Sequence, residues 1–130
     1  MSVVSIMMGS DKDIDFANIM IQEFNALNID TKVYVSSAHK NTMQVLYNIG
    51  EMDKSKKNII ITIAGMSNAL SGVVAANTTC PVIACPPFKD QTDMMVNINS
   101  TLQMPSNIPV LTILNPKNCV LAVKRILDMK

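Results

Sequence analysis

The stretch NIIITIA, residues 58–64, constrains the fold of this chain more than any other. A continuous β-branched run of this kind marks a strand buried on both faces, and such a strand needs helices above and below its sheet. The rest of the chain supplies them. Strand-like VVSIMM (3–8), TKVYVS, PVIAC (81–85) and IPVLTIL alternate with helix-like segments. In DKDIDFANIMIQEFNALN, Ile14, Ala17, Ile21, Phe24 and Leu27 recur at helical spacing, with Asp11 or Asp13 as the expected cap. NTMQVLYNIGEM reads as a helix capped by Asn41 or Thr42, and DQTDMMVNINSTL as one capped by Asp90. SNALSGVVAANT, rich in small residues, reads as a short, tightly packed helix. NPKNCVLAVKRILDMK opens with Asn115 at N-cap and Pro116 at the first helical position, a strong start signal. Five successive β-α units predict a three-layer α/β/α domain with a doubly wound, five-stranded parallel sheet, flavodoxin-like in outline.

At 130 residues, 48% of them hydrophobic and 16% charged, the chain is expected to form one domain over residues 1–130 with a substantial core. There is no repeat, low-complexity tract or linker, and the most polar stretch, MDKSKKN (52–58), reads as a solvated turn. The net charge is +1 with no strongly basic segment, which gives nucleic-acid binding no electrostatic support. Arg125 is the only arginine, so lysines, hydroxyls or backbone amides must hold any anion. Cys80, Cys85 and Cys119 make an odd set without framework spacing, and with one histidine and no CxxC the common zinc patterns are excluded. The expectation is a reduced, cytoplasmic protein with buried thiols, no signal peptide and no membrane span. The 11 methionines and few aromatics suggest a soft core.

In a doubly wound sheet, ligands bind beyond the carboxyl ends of the strands. The segments at those ends are GSDKD, SSAHK, AGMSNALSG and CPPFKD. MGSDKD (8–13) places glycine and serine where a helix begins, a setting suited to phosphate, although a tight turn and N-cap read the same way. It is neither GxGxxG nor a P-loop. His39, the only imidazole, stands at a strand end beside hydroxyls and Lys40, where it could move a proton near neutral pH; an ordinary surface or core histidine is the bland alternative. Lys40 could hold a phosphate as a point charge or be a solvated loop lysine. In AGMSNALSG (64–72), Gly65 and Gly72 could serve backbone geometry alone, and Pro86 or Pro87 could follow a cis peptide. A nucleophilic role for Cys85 is disfavoured by its apolar strand end. No Ser-His-Asp order, carboxylate pair or metal cluster competes for the site.

Taken together, MGSDKD, SSAHK, ITIAGMSNALSGVVAANT, PVIACPP, LQMPSNIP and NPKNCVLAVKRIL resemble the phosphoribosylaminoimidazole carboxylase family of de novo purine synthesis. The resemblance covers nearly all of residues 3–127. Lysine in SAHK, with SNALSG and ACPP, resembles the class that uses carbon dioxide directly. The other class, the carboxyaminoimidazole ribonucleotide mutases, usually shows SAHR and GAAHLPG. The resemblance implies carboxylation of aminoimidazole ribonucleotide without ATP, biotin or metal, in homo-octamers whose sites lie between subunits. It implies that Ser10 and Asp13 hold phosphate and ribose, that Ser37 and Lys40 share the phosphate, and that His39 carries the proton. Gly65, Ser67, Asn68, Ala69 and Leu70 would line the pocket for the base and carbon dioxide.

The chain departs from the family pattern at several places. Lys12 stands where serine is usual, Met66 where the related class usually carries arginine, and Asn107 where MPSGI has glycine. Asparagine tolerates positive φ better than most residues. Relatives usually continue past Lys130 into a further helix. The alternatives left by the sequence are the mutase reaction, a nucleotide-binding relative without turnover, and a flavin-dependent electron carrier. The last is disfavoured by the lack of tryptophan and of a typical flavin phosphate loop.

Overall fold

A computed structural model of the chain describes residues 2–52 and 55–129. Asp53 and Lys54 of the polar loop, and the terminal Met1 and Lys130, lie outside the described residues. The elements run in order as β1 (Ser2–Met8), α1 (Ile14–Ala26), β2 (Thr31–Val35), α2 (Thr42–Gly50), β3 (Lys57–Ile63), α3 (Leu70–Ala76), β4 (Val82–Ala84), α4 (Gln91–Leu102), β5 (Leu111–Thr112) and α5 (Pro116–Leu127). The five strands form one sheet in the order β2-β1-β3-β4-β5, and every pairing is parallel. This is the expected doubly wound α/β architecture.

The run in β3 explains the layering. Ile59, Ile61 and Ile63 face one side with Val4, Ile6 and Met8 of β1, and there Ala17, Met20 and Phe24 of α1 and Val120 and Val123 of α5 cover them. Ile60 faces the other side with Met7, where Val45 and Ile49 of α2 and Leu70 and Val74 of α3 close the core. Strand alternation thus sends successive side chains of one apolar run into two cores.

Local signals set most helix starts. Asn41 caps α2 by accepting from the Gln44 amide at 3.2 Å, and Asp90 caps α4 by accepting from the Asp93 amide at 2.8 Å. Asn115 caps α5 by accepting from the amides of Lys117 and Asn118 at 3.0 and 3.1 Å, with Pro116 opening the helix. The start of α1 differs from expectation. Ser10 caps a 3-10 turn over Asp11–Asp13 by accepting from the Lys12 amide, and Asp13 makes no capping bond. The strand expected over IPVLTIL is regular only at Leu111–Thr112. It is an edge strand beside the short β4, and Pro109 has no N–H to give a ladder. No described peptide bond is cis, and no glycine has positive φ.

Candidate active site

The strand order reverses between β1 and β3, so the loops leaving those strands diverge and leave a crevice at their carboxyl ends. Its volume is about 600 Å³, within the range of small-molecule sites. Gly9, Ser10, Lys12 and Asp13 form the wall after β1, and Ser37, Ala38 and His39 the wall after β2. Gly65 to Ser67, with Ala69 and Leu70, form the floor after β3, and Pro87 to Lys89 close the side after β4.

Four loops distant in sequence therefore meet where the sequence places them. Of the residues implied as site residues, Ser10, Asp13, Ser37, His39, Gly65, Ser67, Ala69 and Leu70 line this crevice. Lys40 and Asn68 do not. Lys40 is exposed, and its backbone amide donates to Ser37 Oγ at 3.1 Å, closing the turn that carries His39. The Asn68 side chain is buried. Its Nδ2 donates to Ser71 Oγ at 2.9 Å and to Thr101 Oγ1 at 3.0 Å, and its Oδ1 accepts from the Ser71 amide at 3.2 Å.

His39 is exposed on the rim, and its ring is oriented by one bond. Nε2–H donates to the Ser67 carbonyl at 3.1 Å, which leaves Nδ1 as the basic nitrogen. The Ser67 carbonyl also accepts from the Ala69 amide at 3.0 Å. The preceding residue, Met66, has φ 57, a left-handed conformation that costs a non-glycine residue about 1–2 kcal/mol. Its side chain is 71% exposed, so packing does not hold it there. Two polar groups of α4 do. Asn97 Oδ1 accepts from the Met66 amide at 2.7 Å, and Ser100 Oγ donates to the Met66 carbonyl at 2.5 Å. Asn97 Nδ2 also donates to the Pro87 carbonyl at 2.5 Å and so ties the β3 and β4 loops together. Gly65 suits this approach and is not called for by its φ: a Cβ there would meet the Asn97 side chain at 3.3 Å and press on it.

Sequence reasoning missed the contribution of α4. Asn97, Ser100 and Thr101 fall at i, i+3 and i+4, one face of the helix, and Asn97 and Thr101 are buried. A polar stripe at helical spacing was the available signal. Phe16, Phe88, Lys89 and Asp93 also line the crevice without having been singled out.

The setting at the start of α1 that the sequence suggests for phosphate is modified. The Lys12 and Asp13 amides are taken by Ser10 Oγ and the Ser10 carbonyl. What the turn offers instead is the Asp13 carboxylate, whose pKa burial pushes up while neighbouring Lys12 opposes the shift. A carboxyl with a raised folded-state pKa binds more protons in the native chain than in the unfolded one. It therefore contributes stability at low pH that is lost as pH rises through the folded value. We expect Asp13→Asn to stabilise the chain modestly at pH 7 and less at pH 4. Urea titrations at the two pH values check this; a variant no more stable than the parent at pH 7 would contradict it.

Fold and crevice together define a doubly wound α/β protein with a crevice of small-molecule size at the switch point of its sheet. The AIR carboxylase family profile matches residues 3–130, and the chain belongs to that purine-biosynthesis family. It is 39% identical over 125 residues to a phosphoribosylaminoimidazole carboxylase of Archaeoglobus fulgidus, covering 96% of this chain and 68% of that protein. It is 36% identical over 111 residues to an N5-carboxyaminoimidazole ribonucleotide mutase of Methanocaldococcus jannaschii, covering 85% of this chain and 68% of that protein. The crystal structure of Treponema denticola PurE superposes with a TM-score of 0.90 at 36% identity, covering 98% of this chain and 80% of that one. Against two multi-activity relatives the chain spans only 29% and 30% of their length. No helix among the described residues is long and apolar enough to cross a membrane, and no group of His, Cys, Asp and Glu among them could hold a metal ion.

Proposed function

We propose that residues 1–130 act as one AIR carboxylase-like domain that carboxylates aminoimidazole ribonucleotide with carbon dioxide. The observation that carries this reading is the placement of the only imidazole. His39 sits on the rim of a crevice whose floor includes the small residues Gly65, Ser67 and Ala69, and is oriented through Nε2 by the Ser67 carbonyl. Ser10, Asp13 and Ser37 on the adjoining walls suit a ribose phosphate. Lys12 and Lys89 line the same crevice, and Lys40 adds positive charge on the turn beside it.

The chemistry follows from these groups. The exocyclic amine of the substrate pushes electrons to the ring carbon that attacks carbon dioxide. The new carbon–carbon bond leaves that carbon bearing both hydrogen and carboxylate. His39 Nδ1 takes the hydrogen as a proton, and the electron pair of the broken C–H bond restores the aromatic ring. Carbon dioxide has no charge to grip, so it is oriented by the shape of the floor around Gly65 and Ala69.

The mutase reaction is the second reading, favoured by the likeness to relatives carrying that name. Both reactions use the same proton transfers. Ultraviolet detection of the carboxylated product separates them. We expect product from aminoimidazole ribonucleotide plus bicarbonate, and little from carboxyaminoimidazole ribonucleotide when bicarbonate is absent. The reverse pattern would assign the mutase, and nucleotide binding without either turnover would leave a binding relative. Assembly as a homo-octamer belongs to the same proposal. Exposed Val33 and Val35 on edge strand β2 and Met43 and Tyr47 on α2 give it apolar surface, and sedimentation of the purified chain measures the subunit number.

A further inference from the structure

We propose that Ser100 and Asn97 of α4 are positioning residues that aim the His39 imidazole, although neither is hydrogen-bonded to it. The inference rests on the reading above that His39 carries the proton. The peptide unit joining Ser67 to Asn68 has two ends. Its carbonyl accepts from His39 Nε2–H at 3.1 Å, and its N–H donates to Ser100 Oγ at 3.1 Å. A peptide is planar, so a bond that fixes the N–H fixes the direction of the carbonyl. Ser100 therefore sets the acceptor to which the imidazole is tied.

The same hydroxyl donates to the Met66 carbonyl at 2.5 Å, and Asn97 Oδ1 takes the Met66 amide at 2.7 Å. Met66 is the one residue of this loop in the left-handed region, and its own side chain gives it no reason to remain there. Without α4 the loop has a relaxed alternative, and the Ser67 carbonyl would turn with it. Asn97 is 3% exposed and is further fixed by its bond to the Pro87 carbonyl, so the brace is a rigid one. The helix that holds the loop thus acts on the proton carrier through two hydrogen bonds in series.

A test is available because the chain has one histidine. Labelling histidine with nitrogen-15 gives a single imidazole, whose Nε2–H shifts report the bond to Ser67. In Ser100→Ala we expect those shifts to move toward the values of free imidazole. We also expect kcat to fall about tenfold to a hundredfold while KM changes much less, as for a misaimed catalytic group. Asn97→Ala, which keeps the Ser100 hydroxyl, should move both readouts in the same direction by a smaller amount. Unchanged imidazole shifts in both folded variants would overturn the inference, even if their melting temperatures fell. If the parent chain turned over neither nucleotide, the reading under Proposed function would fail by itself, and the imidazole shifts would still decide whether α4 aims the ring.

Discussion

Replacing His39 by asparagine should lower turnover on the order of 10²- to 10⁴-fold, the span attributed to a positioned general base, while ribonucleotide still binds. Asparagine is the informative choice. Its amide overlays the Nδ1 side of the ring and stops short of the Ser67 carbonyl, which keeps its bond from the Ala69 amide, and the turn stays closed by the Lys40 amide on Ser37 Oγ. What it lacks is a nitrogen that can take a proton. No second imidazole exists in the chain to substitute. The carboxylates on the crevice lie on other elements, Asp13 on the 3-10 turn, Asp15 on α1 and Asp93 on α4, and Asp93 already accepts from the Lys89 amide at 3.2 Å. Product formation followed by ultraviolet absorbance, beside calorimetric binding of the nucleotide, checks the expectation. Equal turnover in parent and variant would remove His39 from the chemistry. Loss of binding together with turnover would make it a substrate contact instead of a proton carrier.

What the sequence reveals about this molecule, and what it hides, follows from the range of the forces involved. The central strand is legible because burial on both faces admits little but apolar residues, and NIIITIA has no other economical reading. The caps at Asn41, Asp90 and Asn115 are legible because each bond spans two or three residues. The crevice is legible at the level of loops, because a doubly wound sheet puts strand ends together whatever the loops contain. The direction of a loop side chain is another matter. Asn68 lies between two crevice residues in sequence, yet its amide is turned inward by Ser71 and by Thr101, a residue 33 positions away. Met66 carries no local sign of its left-handed backbone, since that conformation is imposed by Asn97, 31 positions away. Asn107, by contrast, does adopt positive φ, at 71°, as its residue type allows. The length of β5 was hidden for the same reason as Asn68: it depends on what the partner strand offers.

Asn68→Ala should destabilise the chain by about 2–4 kcal/mol, because it strips several partners from a buried polar cluster at once. Three consequences contribute. The Ser71 amide at the start of α3 loses its acceptor, and Ala69, at the N-cap position, has no side-chain oxygen to replace it; loss of such a cap alone costs about 1 kcal/mol. Ser71 Oγ and Thr101 Oγ1 lose the Asn68 amide, though Ser71 keeps Thr62 at 2.7 Å and Thr101 keeps the Asn97 carbonyl at 2.9 Å. Those retained bonds are why the expected loss stays below the sum of independent deletions. Finally, the missing amide leaves a cavity between α3 and α4 too polar to be filled by relaxation of neighbouring aliphatic groups. Urea unfolding should therefore show a lower midpoint with an unchanged slope. Nucleotide affinity, measured where the variant is still folded, should stay close to that of the parent, since the Asn68 side chain does not line the crevice. An unchanged unfolding midpoint with weakened nucleotide binding would reverse the assignment, returning Asn68 to the substrate site and leaving α3 to be held by its small-residue packing alone.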